Sequence, residues 1–182
     1  MSPMNRKAQS TPGRERSASR IDYNPAGKWS VASVTARYAA LRVQLGGTSD
    51  FALQPRVYTN PGGMTWIYHI MEGVADGVQR GDQACIELAI GYIEDNIMAS
   101  YTGYIRERMA RSLRRAPLSK SQQTRLATVF LSQLISGNLH KEYREYIRLF
   151  RTMGVADFRT TIEKQRASAK AYIRRAAERL LA

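Results

Sequence analysis

Basic side chains at helical spacing form the clearest chemical pattern in this 182-residue sequence. They recur every three or four positions, so each set falls on one face of a predicted helix. Apolar residues of the same segments fall on a separate or adjoining face, which leaves the basic face for solvent or a partner. The three sets are Arg108, Arg111 and Arg115; Lys141, Arg144, Arg148 and Arg151; and Arg159, Arg166, Lys170 and Arg174.

Arginine outnumbers lysine in these sets, and this favours recognition of phosphate groups. The planar guanidinium group pairs bidentately with phosphate and with base edges, and it also stacks on bases. Tyrosines lie beside the same faces and can serve as stacking platforms for unpaired bases. They are Tyr101, Tyr104, Tyr143, Tyr146 and Tyr172. Most of them also fall at core spacing, so ordinary packing is the simpler interpretation.

The formal net charge of +13 is unevenly distributed along the chain. Residues 1–28 hold six basic and two acidic residues, and residues 29–100 hold four basic and seven acidic residues. Residues 101–182 hold eighteen basic residues against six acidic ones. A strongly cationic half joined to a mildly acidic part indicates a polyanionic partner. A merely solvated surface would interleave the two signs more evenly.

Residues that could support catalysis or metal binding are sparse, and we predict a non-enzymatic protein with no cofactor and no metal. His69 and Glu72 are three positions apart on one helix face, but a carboxylate-bridged metal site needs a second such pair. Phosphate-loop, zinc-protease and serine-hydrolase motifs do not occur. Cys85 is the only cysteine and sits on an apolar helix face, which predicts a buried side chain and excludes an internal disulfide.

Apolar periodicity predicts an all-α fold, an irregular helical bundle or stacked αα-hairpins of six to seven helices. Ser30, Asp82 and Ser119 are predicted helix caps, and Ser119 with Gln122 fits a capping box. The expected helices cover about 31–45, 64–79, 82–95, 103–115, 120–136, 140–153 and 157–182. No strand pattern is convincing, although a short extended piece at 56–59 fits the long loop at 48–63.

The first 28 residues are poor in apolar side chains and rich in Ser, Pro, Gly and Arg. We therefore expect residues 1–28 to be a disordered basic tail and residues 29–182 to be a single all-helical domain. No apolar run is long enough for a membrane span, and the N-terminus lacks the apolar core of a secretory signal. These features predict an intracellular, cytoplasmic protein.

The sequence predicts a protein that binds DNA or RNA through its basic helix faces, with little sequence specificity. A helix-turn-helix formed by residues 120–135 and 140–152 is a narrower version of this hypothesis. The alternative is a helical adaptor or inhibitor, such as a mobile-element accessory protein, that docks on an acidic protein or nucleoprotein complex. The carboxylates of residues 82–95 could also attract the basic half of a second copy, giving a homo-oligomer.

Overall fold

The computed structural model describes residues 19–47, 49–97 and 102–182, which contain eight α-helices and three short strands. The helices are α1 (Val31–Gln44), α2 (Ile70–Gln79), α3 (Gln83–Asp95), α4 (Thr102–Leu113), α5 (Lys120–Ser136), α6 (Tyr143–Met153), α7 (Arg159–Gln165) and α8 (Ala171–Leu181). The strands are β1 (Arg20–Asp22), β2 (Val57–Thr59) and β3 (Thr65–Ile67). Single turns of 3-10 helix, Gly27–Trp29 and Ala156–Phe158, precede α1 and α7.

Local capping chemistry sets the starts of three helices, as predicted. The Ser30 side chain accepts a hydrogen bond from the Ser33 amide at the start of α1, and Asp82 accepts one from the Cys85 amide at the start of α3. Ser119 and Gln122 form the reciprocal capping box of α5. These side chains satisfy amide groups that have no partner within the helix.

Two helices lie at the centre of the helical core. α3 packs against α1, α2, α4 and α5, and nearly all of its apolar side chains are buried. α6 packs against α4, α5 and α8, and its Tyr146 ring stacks on Phe130 of α5 with the ring centroids 4.6 Å apart. The buried apolar residues form one cluster that extends from Trp29 to Leu180.

A three-stranded sheet shows that the all-α prediction is only partly correct. β3 lies in the middle, parallel to β1 and antiparallel to β2. The predicted helix at 64–79 is therefore wrong over its first six residues, since α2 begins at Ile70. Thr65, Trp66 and Ile67 are β-branched or aromatic, and such residues favour a paired, extended backbone. The expected extended piece at 56–59 corresponds to β2.

The predicted last helix is divided into two by residues 166–170. α7 ends at Gln165, and α8 begins at Ala171. Within the break, the Ser168 hydroxyl accepts a hydrogen bond from the Lys170 amide, and Arg174 donates to the carbonyl oxygens of Ser168 and Ala169. The side chains before and after the break therefore do not share one helical register.

The N-terminal segment is described from residue 19 onward. Residues 1–18 of the predicted tail lie outside the described residues. In residues 19–28, β1 pairs with β3, and Asn24 donates to the Tyr68 carbonyl while accepting from the Ile70 amide at the start of α2. These contacts fasten the segment to the helical part of the chain. Within the described ranges, every helix is too short or too polar to cross a lipid bilayer.

Candidate nucleic-acid interface

The predicted basic face of α4 is largely occupied by contacts within the chain. Arg108 bonds to Glu72 at 3.2 Å and to Asp76 at 2.6 Å, so it joins α4 to α2. Arg111 pairs with Glu107 one turn earlier on the same helix. Arg115 is exposed and lies just beyond the end of α4. Arg108 is thus paired with two carboxylates of the same chain.

The basic face of α6 is exposed, as its register predicted. Arg144, Arg148 and Arg151 all face solvent, and Lys141 is exposed just before the helix. Arg148 pairs with the buried carboxylate of Glu145, which also accepts a hydrogen bond from Arg114, the residue directly after α4. The Arg144 Nε lies 3.9 Å from the same carboxylate.

The third predicted set, from Arg159 to Arg174, does not form a continuous face because the helix is broken. Arg159 pairs with Glu163 within α7, and Arg174 is held by backbone carbonyls in the break. Arg166 and Lys170 are exposed in the break itself. The predicted grouping of these four residues is therefore wrong.

A cleft between the start of α6 and α8 brings together basic residues from distant parts of the sequence, and we call it the α6–α8 cleft. Its volume is about 400 Å³. Its lining residues are Leu139, His140, Lys141, Tyr143, Arg144, Ile147, Tyr172, Arg175, Ala176 and Arg179. Lys141 and Arg144 belong to the predicted set, whereas Arg175 and Arg179 were missed. Arg175 is three residues after Tyr172, and Arg179 is four residues after Arg175. This spacing was the available signal, because it places all three on one face of α8.

The cations of the α6–α8 cleft differ from those of α4 in their partners. Among the described residues, no carboxylate oxygen lies within 4 Å of the charged nitrogens of Lys141, Arg175 or Arg179. Converging like charges repel each other, and a bound anion would relieve that repulsion. The cleft is therefore a described part of the surface where an anionic ligand would relieve the repulsion between basic side chains.

Gly137 allows α8 to approach the turn between α5 and α6. It has a φ of 79°, in the left-handed region that favours glycine, and it caps the end of α5. A β-carbon at this position would lie 2.9 Å from the Tyr172 hydroxyl, 3.1 Å from Ile173 Cδ1 and 3.4 Å from Lys170 Nζ. The absence of a side chain at Gly137 therefore sets how closely Tyr172 and Lys170 lie over this turn.

The tyrosines predicted beside the basic faces have different environments. Tyr143 and Tyr146 are buried in the core, in agreement with the simpler interpretation. Tyr104 and Tyr172 are exposed, and only Tyr172 of these two lines the α6–α8 cleft. Tyr101 lies outside the described residues.

The acidic residues of α2 and α3 bind basic residues of the same chain. Arg125 of α5 donates to Glu87 at 2.6 Å and to Glu94 at 2.7 Å, and Asp95 accepts hydrogen bonds from Lys28 and the Trp29 indole. Asp82 is buried and accepts a hydrogen bond from the Tyr38 hydroxyl in addition to capping α3. These carboxylates, which suggested self-association, are thus engaged within the fold.

The residues considered for catalysis or metal binding, His69 and Cys85, are buried in the core. His69 is buried, its Nδ1 accepts a hydrogen bond from the Met71 amide, and burial lowers its pKa to about 4. Cys85 is buried, and this burial raises the pKa of its thiol. Within the described ranges, no group of three His, Cys, Asp or Glu side chains is arranged to hold a metal ion. His140 lines the α6–α8 cleft.

The fold and the site together define a mostly helical, cationic protein with a basic cleft between two helices. No known family model, curated protein or solved structure matches this chain. The geometry and charge of the α6–α8 cleft are therefore the features of the molecule that bear on its function.

Proposed function

We propose that this protein binds nucleic acid through the phosphate backbone, with the cations of the α6–α8 cleft as the principal contacts. The observation that carries the proposal is the convergence of Lys141, Arg144, Arg175 and Arg179 on one cleft. Lys141 lies just before α6 and Arg144 lies in its first turn, whereas Arg175 and Arg179 lie on α8. The fold therefore brings together charges that are more than thirty positions apart in sequence.

The surrounding chemistry favours phosphate as the ligand. Three of the four cations are arginines, whose planar donor groups match the oxygens of a phosphodiester. Exposed Arg148 and Arg151 continue the basic surface along α6, and Lys170 extends it beside Gly137. Such contacts recognise the backbone and carry no information about the base sequence, so we expect low sequence specificity.

The connection between α5 and α6 bears on the helix-turn-helix hypothesis. Residues 137–142 separate the two helices, and this is longer than the three- to four-residue turn typical of that motif. We therefore favour backbone binding in the cleft over insertion of α6 into a DNA groove.

A salt titration tests the mechanism directly. Neutralising about four phosphates predicts a log–log slope of affinity against salt of about −3 to −4. The triple variant Arg144→Glu, Arg175→Glu, Arg179→Glu is expected to lose at least tenfold in affinity for a labelled oligonucleotide. The matched control changes Arg80, Lys120 and Lys164 to glutamate, which lowers the net charge equally at positions that do not line the cleft.

The two triple variants separate a local site from overall charge. Circular dichroism must first show that both variants retain the helical fold. Equal losses of affinity in the two variants would contradict a site in the cleft, and a salt slope near zero would contradict phosphate binding altogether.

A competition experiment separates nucleic acid from an acidic protein partner, which is the adaptor alternative. Polyglutamate and an oligonucleotide of similar charge are added to the same labelled complex. We expect the oligonucleotide to compete at lower concentration, because guanidinium groups also stack on its bases, whereas they pair with phosphate and carboxylate alike. Stronger competition by polyglutamate would favour the docking of an acidic protein.

A further inference from the structure

The α6–α8 cleft has an apolar floor as well as a basic rim. Tyr143, Ile147 and Ala176 are buried side chains that form part of its lining, and Leu139 lies beside them. Phosphate recognition alone needs no such floor, because a phosphate group gains nothing from apolar surface. The combination fits a ligand that has both an anionic and a flat apolar part.

Tyr172 gives the cleft an exposed aromatic ring in a defined position. Its side chain is 41% exposed, and it stands one turn before Arg175 on the same face of α8. The close approach of its hydroxyl to Gly137 limits the positions that the ring can take. An aromatic ring beside arginines is the arrangement on which unpaired bases stack in proteins that bind single strands.

The size and the lining of the cleft favour a single strand over a duplex. A volume of about 400 Å³ suits a small planar group and part of its attached backbone. In a duplex the bases are stacked inside and only the phosphates and groove edges are accessible. A duplex can therefore contact the basic rim, but it leaves the apolar floor and the exposed face of Tyr172 unused.

We infer that the α6–α8 cleft seats one unpaired base of a single-stranded nucleic acid against Tyr172, with the adjoining phosphates on Arg175, Arg179, Lys141 and Arg144. This inference rests on the proposed function and narrows its substrate to a single strand. The base occupies the apolar floor, so recognition depends on its flat face and tolerates all four bases.

The test compares three ligands of equal length by fluorescence anisotropy at one salt concentration. They are a thymidine oligonucleotide, the same phosphate backbone with abasic sites, and a duplex. Stacking of a single base predicts that the thymidine strand binds about fivefold or more tighter than the abasic strand. It is also expected to bind more tightly than the duplex, and to share its salt slope with the abasic strand because the phosphate contacts are the same.

A variant pair assigns the preference to one ring. Tyr172→Leu is expected to bind the thymidine and abasic strands equally and to keep the salt slope of the wild type. The control Tyr58→Leu removes an exposed tyrosine of β2 that does not line the cleft, and it is expected to retain the preference. Thermal unfolding checks that both variants fold.

The outcomes separate this inference from the proposed function. Salt-steep binding with no difference among the three ligands would overturn the single-strand inference and leave phosphate binding intact. A preference that survives in Tyr172→Leu would also overturn it. Failure of all three ligands to bind at low salt would overturn the proposed function itself.

Discussion

Two regions of the molecule, the contacts of α2 and α3 with α4 and α5 and the α6–α8 cleft, use arginine in opposite ways. Around α2, α3 and α5, arginines are paired with carboxylates, as Arg108 is with Glu72 and Asp76. Around the α6–α8 cleft, Arg175 and Arg179 converge with no carboxylate within 4 Å among the described residues. The number of basic residues therefore does not by itself show how many are available to a partner. Arginines that are paired with carboxylates of the same chain have to be subtracted first.

The same comparison explains the charge distribution along the chain. The carboxylates of the mildly acidic part face arginines of the basic part, through Arg108 and Arg125. Part of the excess positive charge of residues 101–182 is therefore neutralised by these partly exposed ion pairs between helices. What remains is concentrated on α6, on α8 and in the break before α8.

The largest expected effect is on stability, at the most deeply paired arginine. Arg106 of α4 is 1% exposed, and its Nε donates to the buried Glu142 carboxylate at 2.9 Å. Arg106→Leu leaves that carboxylate buried without its charged partner, and we expect a loss of about 3–5 kcal/mol in the free energy of unfolding. Urea denaturation measures this loss.

The double variant Arg106→Leu, Glu142→Leu is the control for this prediction. It removes both charges, so it is expected to be more stable than the single variant. A double variant that is less stable than Arg106→Leu would contradict the account of an uncompensated buried charge.

An intermediate effect contrasts one paired arginine with one cleft arginine. Arg108→Gln removes a charged group that pairs with the buried Glu72 carboxylate, and it is expected to lower the free energy of unfolding by about 2 kcal/mol. The affinity for an oligonucleotide is expected to stay unchanged. Arg175→Gln is expected to change stability by less than about 0.5 kcal/mol and to lower affinity several-fold. Denaturation and binding are measured for both variants. A loss of affinity in Arg108→Gln together with a loss of stability in Arg175→Gln would contradict the comparison.

The smallest expected effect is a pH dependence at the Arg125 pairs. Burial of Glu87 acts to raise its pKa, but hydrogen bonds from Arg125 and Gln122 outweigh burial and lower the pKa below its ordinary value. A lowered pKa contributes stability that is present above the unfolded-state pKa of about 4.3 and is lost as the pH falls through the folded-state pKa. We expect this contribution to stay below about 1 kcal/mol, because solvent screens the partly exposed pair.

Stability curves measured from pH 6 to pH 3 test this dependence. Arg125→Ala is expected to lose less stability than the wild type over that interval, since its Glu87 has a more ordinary pKa. Identical pH profiles in the two proteins would exclude a contribution from the Arg125 pairs.

Local signals made much of the helical fold predictable. α5 begins at a capping box and ends at Gly137, and both features act within a few residues of the chain. β3 was not predictable in this way, because Trp66 and Ile67 also fit a helical apolar spacing. Its strand conformation depends on pairing with β1, which a periodicity argument does not include.

The candidate site was predictable only in part. The helical register of α6 correctly placed Arg144 on an exposed face. Residues 157–182 were predicted as a single helix, and this assumption assigned the wrong face to the residues of α8. The break at 166–170 contains neither glycine nor proline, and Ser168 and Arg174 support it through hydrogen bonds. Arg175 and Arg179 could therefore be grouped with Lys141 only in the folded structure.

The parallel pairing of β1 with β3 has a consequence for folding kinetics. Arg20 pairs with Thr65, so the whole of α1 lies within the loop that this pairing closes. Helix contacts are local and form quickly, whereas distant strand pairing first requires the chain to lose the entropy of a long loop. The side chains of β1 are exposed and add little apolar burial to offset that loss. We therefore expect the helices to form before the sheet, with the first strand in the sequence among the last elements to join the fold.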